Sequence, residues 1–146
     1  MDTTLKAERL TVTNNLAKAL NEAGLPVEDI DRPGRVFFRF VDAGQTLGYG
    51  GLEGTGPDLL LRSVTVVPAA RNAGQGGRIV AALEREAAAR GADRLHLLTS
   101  TAARFFGRHG YAAADRASAP AAVSSCEQFR SLCPASAAYL VKSLTP

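Results

Sequence analysis

The sequence predicts a single-domain α+β fold: a mixed, mostly antiparallel sheet flanked by helices. Three observations carry that prediction. Three strand-like runs separated by glycine turns lie between residues 35 and 67, an amphipathic helix follows directly, and the apolar run Leu95–Thr99 completes a strand–helix–strand order. At 146 residues, 46% hydrophobic and 21% charged, the chain suits one domain over 1–146 around one core, not a disordered or fibrous protein.

Each element has a local reason. Thr3–Leu10 reads as a first strand, and Thr13–Ala23 as a helix with Leu16, Leu20 and Ala23 on one face, Thr13 as cap, and Gly24 and Pro26 as stop. Arg32-Pro33-Gly34 turns the chain into the strand Arg35–Val41. Ala43-Gly44-Gln45 then makes a hairpin turn into the return strand Leu47–Glu53. Gly54-Thr55-Gly56-Pro57 leads to a third strand, Leu59–Val67, which Pro68 ends. The helix after Gly77 places Ile79, Val80, Leu83 and Ala87 on one face, carries Glu86 and Arg90 as an i,i+4 pair and closes at Gly91. Leu95–Thr99 reads as a strand buried on both faces, paired in parallel with the Leu59 strand. A short helix at Ala102–Arg108, a strand opening at Gly110-Tyr111 and a last strand at Ala137–Val141 complete the sheet. That last strand is read as an exposed edge through which a homodimer could pair.

Several function classes fall away. No stretch approaches the roughly 18 apolar residues of a membrane span, and Met1-Asp2-Thr3-Thr4 lacks a basic segment followed by an apolar run, so neither a membrane nor a secreted protein is expected. Cys126 and Cys133 are too few for a disulfide framework, and no second Cys or His pair completes a zinc site; a cytoplasmic protein without a metal is the expectation. The 17 basic and 14 acidic residues give a net charge of +3, but the arginines are scattered among acids, so nucleic acid is not the expected partner. A small polyanion needs only a local cradle of donors, which this balance permits.

Such a cradle is present. Val64-Thr65-Val66-Val67-Pro68 is followed by Arg71-x-x-Gly74-x-Gly76 at a helix entry, where glycines let unpartnered backbone amides turn toward an anion. Taken alone, the pattern is more often a plain strand-to-helix connection than a phosphate site, and it is the agreement of the flanking strand, the helix and the downstream segment that favours the cradle. No Lys-Ser/Thr follows the glycines as in a P-loop, and Gly74-Gln75-Gly76-Gly77 does not make G-x-G-x-x-G, which excludes the nucleoside triphosphatase and Rossmann dehydrogenase readings.

The motif and the order of elements around it resemble the GNAT family of acetyl-coenzyme A dependent N-acetyltransferases over nearly the whole chain. The resemblance implies acetyl-CoA as cosubstrate. The backbone of Val64, Thr65 and Val66 would hold the pantetheine arm and thioester carbonyl, and the amides of Arg71, Asn72, Ala73, Gly74, Gln75, Gly76 and Gly77 would wrap the pyrophosphate. Asn72 and Ala73 depart from the family's usual Gly and basic residue, a loss of charge that Arg78 is expected to restore in part.

A narrower resemblance follows downstream. The segment from Leu95 through Thr99-Ser100-Thr101 to Phe105-Phe106, Arg108 and Gly110-Tyr111 is similar to the acetyltransferase domain of N-acetylglutamate synthase. The tail from Ala119-Pro120 through Gln128-Phe129-Arg130 to Ser136-Ala137 resembles the arsenic-resistance N-acetyltransferases. The implied acceptor is the α-amino group of a small molecule, arsinothricin, phosphinothricin or glutamate. Its anionic groups call for fork-shaped donors, for which Arg62, Arg104 and Arg130 are available, with Ser136 beside them in the tail.

Direct attack of the amine requires loss of one proton, a polarised carbonyl and a protonated leaving thiolate. A backbone amide near Val66 can polarise the carbonyl. Glu53 is the candidate base through a water relay, or else an exposed strand-end residue. The tyrosine with which many relatives protonate the thiolate is absent, since Phe105-Phe106 stands in its place; Ser100 or water would serve instead, and Tyr111 is read as packing. His96 and His109 are read as structural. Two further readings stand beside the enzyme: a catalytically silent acetyl-CoA-binding module, and a thiol-based arsenic binder using Cys126 and Cys133.

Overall fold

The computed structural model describes residues 5–10, 14–22, 34–67, 74–126, 129 and 137–144. Seven strands form one sheet: β1 (Lys6–Leu10), β2 (Arg35–Asp42), β3 (Gln45–Glu53), β4 (Asp58–Val66), β5 (Arg94–Thr99), β6 (Ala112–Ala113) and β7 (Ala138–Ser143). The helices are α1 (Asn14–Glu22), α2 (Gln75–Ala89), α3 (Ala103–Arg108) and α4 (Ala121–Ser124). The sheet order is β1-β2-β3-β4-β5-β7-β6, and every pairing is antiparallel except β4 with β5.

The local reasons hold where they can be checked. Ala43 and Gly44 have φ of 50° and 79°, the left-handed pair that a tight hairpin between twisted strands requires. β3 keeps its glycines because neighbours approach too closely for a side chain: a Cβ on Gly50 would lie 2.5 Å from a Leu83 methyl of α2. Ile79, Val80, Leu83 and Ala87 of α2 are buried against Phe38, Phe40, Leu52, Leu59 and Leu61. On the other face Leu20 of α1 packs on Phe37, while Val123 and Cys126 cover Leu60. The helix ends as expected, with Gly91 at φ 87° and Arg90 paired to Glu86 at 3.0 Å.

One expectation is corrected. The last strand is not an edge: β7 is hydrogen-bonded to β5 on one side and to β6 on the other, leaving the two-residue β6 outermost. The Gly110-Tyr111 segment takes the edge because Tyr111 is anchored inward. Its hydroxyl donates to Glu84 at 3.0 Å and its ring packs edge-on to Phe106. Thr13, Ala23, Gly24, Pro26, Arg32, Pro33 and Pro68 lie outside the described residues.

Candidate active site

The parallel pair β4–β5 is in register for only three steps, Asp58↔Arg94, Leu59↔Leu95 and Leu60↔His96. Beyond Leu60 the strands part. A cleft of about 160 Å³ lies between Leu61–Val64 and Leu97–Thr99, completed by Thr101, Ala102 and Phe106 at the entry to α3. A bulge accompanies the parting: Gly51 of β3 pairs with Arg62 but Tyr49 pairs with Thr65, so β4 carries one extra residue. Within it Ser63 adopts φ +61°. A left-handed backbone costs a non-glycine residue on the order of 1–3 kcal/mol and persists only where its surroundings over-determine it.

Here they do. Arg62 Nε donates to Ser63 Oγ at 3.1 Å, and Arg62 Nη1 donates to Glu53 Oε1 at 3.0 Å. The other carboxylate oxygen of Glu53 lies 3.3 Å from Arg35 Nη2. The Arg62 guanidinium stands over the Phe37 ring, 5.6 Å from its centroid, and its side chain is fully buried. Next to this cluster, burial and the Glu53 carboxylate push the Cys126 thiol up to about 12, against a smaller opposing effect of Arg35 and Arg62.

The closed end of the pair carries a different network. His96, 1% exposed, is held between Asp58 Oδ1 at 2.8 Å and the Tyr139 hydroxyl at 2.7 Å. Arg94 Nε adds a 2.9 Å ion pair to the same Asp58 oxygen. Burial opposes ionisation of Asp58, but the hydrogen bonds from His96 and Arg94 outweigh it and hold the carboxyl below its ordinary range. Burial, with the Asp58 charge, raises the Tyr139 phenol despite Arg94.

Above the cleft, Gly74 (φ +74°) leads into α2, and a Cβ there would project into open space. The next glycines are covered. A Cβ on Gly76 would lie 3.0 Å from the Phe105 ring, and one on Gly77 would lie 2.7 Å from His109 Cε1. Phe105 and His109 themselves pack at 4.7 Å, so α3 lies on the first turn of α2. A second cavity, of about 500 Å³, is lined by Val66, Gly74 to Gly77, Phe105, Arg108 and His109. It joins an opening at a helix N-terminus to a cation and an imidazole, which suits the phosphates of a nucleotide. Arg78 does not take the part expected of it: Nη1 bonds Asp42 at 3.1 Å and Gln75 at 2.9 Å, and the residue is not in that lining.

A model of the acetyltransferase (GNAT) domain matches residues 33–113, more than half of the chain and the span that holds both cavities. The chain belongs to the GNAT acetyltransferase family. Compared with curated protein sequences, it finds no significant match. Solved GNAT structures share its fold. N-acetylglutamate synthase of Neisseria gonorrhoeae, complexed with coenzyme A and N-acetyl-glutamate, superposes at a TM-score of 0.73 with 17% identity over 97% of this chain, which spans only 36% of that one. Rv2747 of Mycobacterium tuberculosis, in complex with CoA, gives 0.68 at 18% identity, covering 94% of this chain and 99% of that chain. An aminoglycoside 6'-N-acetyltransferase complexed with coenzyme A gives 0.65 at 16% identity, covering 94% and 97%.

Within this GNAT domain the expected residues separate. Val64 and Val66 edge the cleft and the cavity respectively, with Thr65 buried between them. Gly74, Gln75, Gly76 and Gly77 line the cavity together; Arg71, Asn72 and Ala73 lie outside the described residues, as do Arg130, Ser136 and Cys133. Arg62 lines the cleft, but its guanidinium is turned into the Glu53 cluster. Arg104 is exposed on α3. Glu53 is 5% exposed, which removes the strand-end reading, and it is not among the cleft-lining residues. Ser100 is exposed between Thr99 and Thr101; those two threonines line the cleft and Ser100 does not. Sequence reasoning missed Arg108 and His109 as cavity residues. Their signal was the glycine pair at 76–77, which leaves room for a neighbour's ring.

Proposed function

We propose that this chain transfers the acetyl group of acetyl-CoA to the α-amino group of a small glutamate-like acceptor, arsinothricin or its analogue phosphinothricin, as a cytoplasmic detoxifying enzyme in arsenic resistance. The observation that carries the chemistry is the parting of β4 from β5, with the cleft and the glycine-lined cavity adjoining along β4, Val64 in one lining and Val66 in the other. Acetyl-CoA supplies an activated thioester. The backbone of Val64 to Val66 would bind the pantetheine arm and polarise the carbonyl. The amides from Arg71 to Gly77 would hold the pyrophosphate, with the Arg108 cation and the His109 imidazole in the facing wall.

The acceptor ammonium must lose one proton before it attacks, and water at the cleft would carry that proton to solvent. Ser100 or water would return the proton to the thiolate. The glutamate-like acceptor is supported by the resemblance of the tail, where Arg130 and Ser136 would meet its anionic groups, and by the likeness to a synthase that holds N-acetyl-glutamate. Arg62 would add a buried positive charge behind the cleft.

The test is mass-spectrometric detection of acetylated product with arsinothricin, phosphinothricin, glutamate and a polyamine as acceptors, a readout that Cys126 and Cys133 do not disturb. The expected result is turnover of the arsenic or phosphorus amino acid well above glutamate. Preference for glutamate would make the chain a glutamate N-acetyltransferase. Tight acetyl-CoA binding with no product on any acceptor would overturn catalysis and leave a binding module.

A further inference from the structure

We infer that Glu53 is a positioning residue: through Arg62 it holds Ser63 in the left-handed conformation that turns β4 away from β5 and leads the main chain from Val64 at the cleft to Val66 at the glycine-lined cavity. The kinetic consequence rests on the acetyl-transfer reading; the geometry does not. A serine inside a strand relaxes to extended backbone unless something prevents it. Here the extra residue of the bulge, the φ of +61° and the bond from Arg62 Nε to Ser63 Oγ fall on adjacent positions. Arg62 is fixed in turn by Glu53 Oε1 and by the face of Phe37, and the second Glu53 oxygen is engaged by Arg35.

A general base needs a lone pair that can reach substrate or water. Glu53 has each oxygen on a separate guanidinium, a side chain 6% exposed and no place in the cleft lining. Among the described residues the charged and titratable groups against it are Arg35, Arg62 and the Cys126 thiol, and the two guanidinium groups occupy its two oxygens.

The experiment compares Glu53→Gln, Ser63→Gly and the double variant. Arg62→Met, which deletes the guanidinium's bonds to Ser63 and Glu53, is made in the same two backgrounds. Glu53→Gln is expected to lower kcat about tenfold with little change in KM for acetyl-CoA, because a displaced backbone donor loses transition-state contact before it loses affinity. Glycine adopts positive φ without support, so the same change in the Ser63→Gly background is expected to cost about threefold or less. The pH–rate profile of Glu53→Gln keeps the wild-type shape. Independently of activity, NMR of labelled protein reads φ at residue 63 from the amide–Hα coupling: positive in wild type and Ser63→Gly, moved toward extended in Glu53→Gln or Arg62→Met. An unchanged φ in both variants overturns the inference, as does loss of the acid limb of the profile, the mark of a missing base. A kcat loss undiminished by Ser63→Gly also overturns it. If the wild type acetylates nothing, the acetyl-transfer reading fails and the NMR arm alone decides this one.

Discussion

The two halves of the β4–β5 pair are built from the same kinds of residue and do opposite things. Below Leu60 the strands are in register, with Asp58, His96, Tyr139 and Arg94 tying the sheet together by short bonds. Above it they separate, and Arg62 of β4 turns to its neighbour Ser63 and to Glu53 of β3 instead of bridging to β5. Both networks have buried centres, Asp58 and His96 in one and Glu53 and Arg62 in the other, so burial of a polar cluster does not distinguish a structural site from a functional one. What distinguishes them is what they fix: the lower one fixes a pairing, the upper one a gap.

Filling the cradle above the gap has the largest expected effect. Gly74→Val places a β-branched residue at φ +74° and sends its side chain into the open space where the phosphates would lie. Acetyl-CoA affinity by calorimetry is expected to fall about a hundredfold or more, while the melting temperature drops only modestly, about what a left-handed β-branched residue costs. Unchanged affinity would remove the cradle from the mechanism.

The closed half breaks differently. Asp58→Ala strands His96 and Arg94 and is expected to destabilise the fold by about 2–3 kcal/mol, or roughly 4–12 °C in Tm, with kcat per folded molecule nearly unchanged. Its pH dependence has a fixed sign. Because the folded carboxyl is held below its unfolded value, Asp58 stabilises fully above about pH 4 and loses that contribution as pH falls through the folded value. Asp58→Asn should therefore flatten the acid side of the stability curve, measured by urea midpoints between pH 3 and 6. Tyr139→Phe removes only the bond to His96 and is expected to cost about 1 kcal/mol in the same assay.

Much of this was legible in the chain, and the gaps have physical causes. α2 and the three-strand meander follow from periodicity and turn residues, which act locally. The position of β7 does not, because Ala137–Val141 carries no sign of which strands will flank it; Tyr111, anchored on Glu84, decides that β6 and not β7 is outermost. Ser63 is hidden within Leu59–Val67, a run that reads as uninterrupted strand, since its left-handed φ is imposed by Arg62 and Glu53 and not by its own propensity. Glu53 was legible as a carboxylate in the right neighbourhood, but its burial between arginines nine residues after it and eighteen before follows from sheet register.

The smallest expected effect concerns Cys126, whose thiol lies against Glu53 at the margin of the upper network. Its thiol points to the Ala122 carbonyl at 3.4 Å, and with its pKa pushed up to about 12 only about one molecule in ten thousand is a thiolate at pH 8. Soft-ion capture and alkylation both need the thiolate. Iodoacetamide labelling of Cys126 in the native protein, followed by peptide mass spectrometry, is therefore expected to be slower than in denaturant by several orders of magnitude. Cys126→Ala should leave acetyl transfer within about twofold of wild type and should not alter any effect of arsenite on the melting temperature. Rapid native labelling, or an arsenite-induced shift that vanishes in Cys126→Ala, would instead mean that the cluster around Glu53 opens, and that the gap between β4 and β5 is less rigidly held than its hydrogen bonds require.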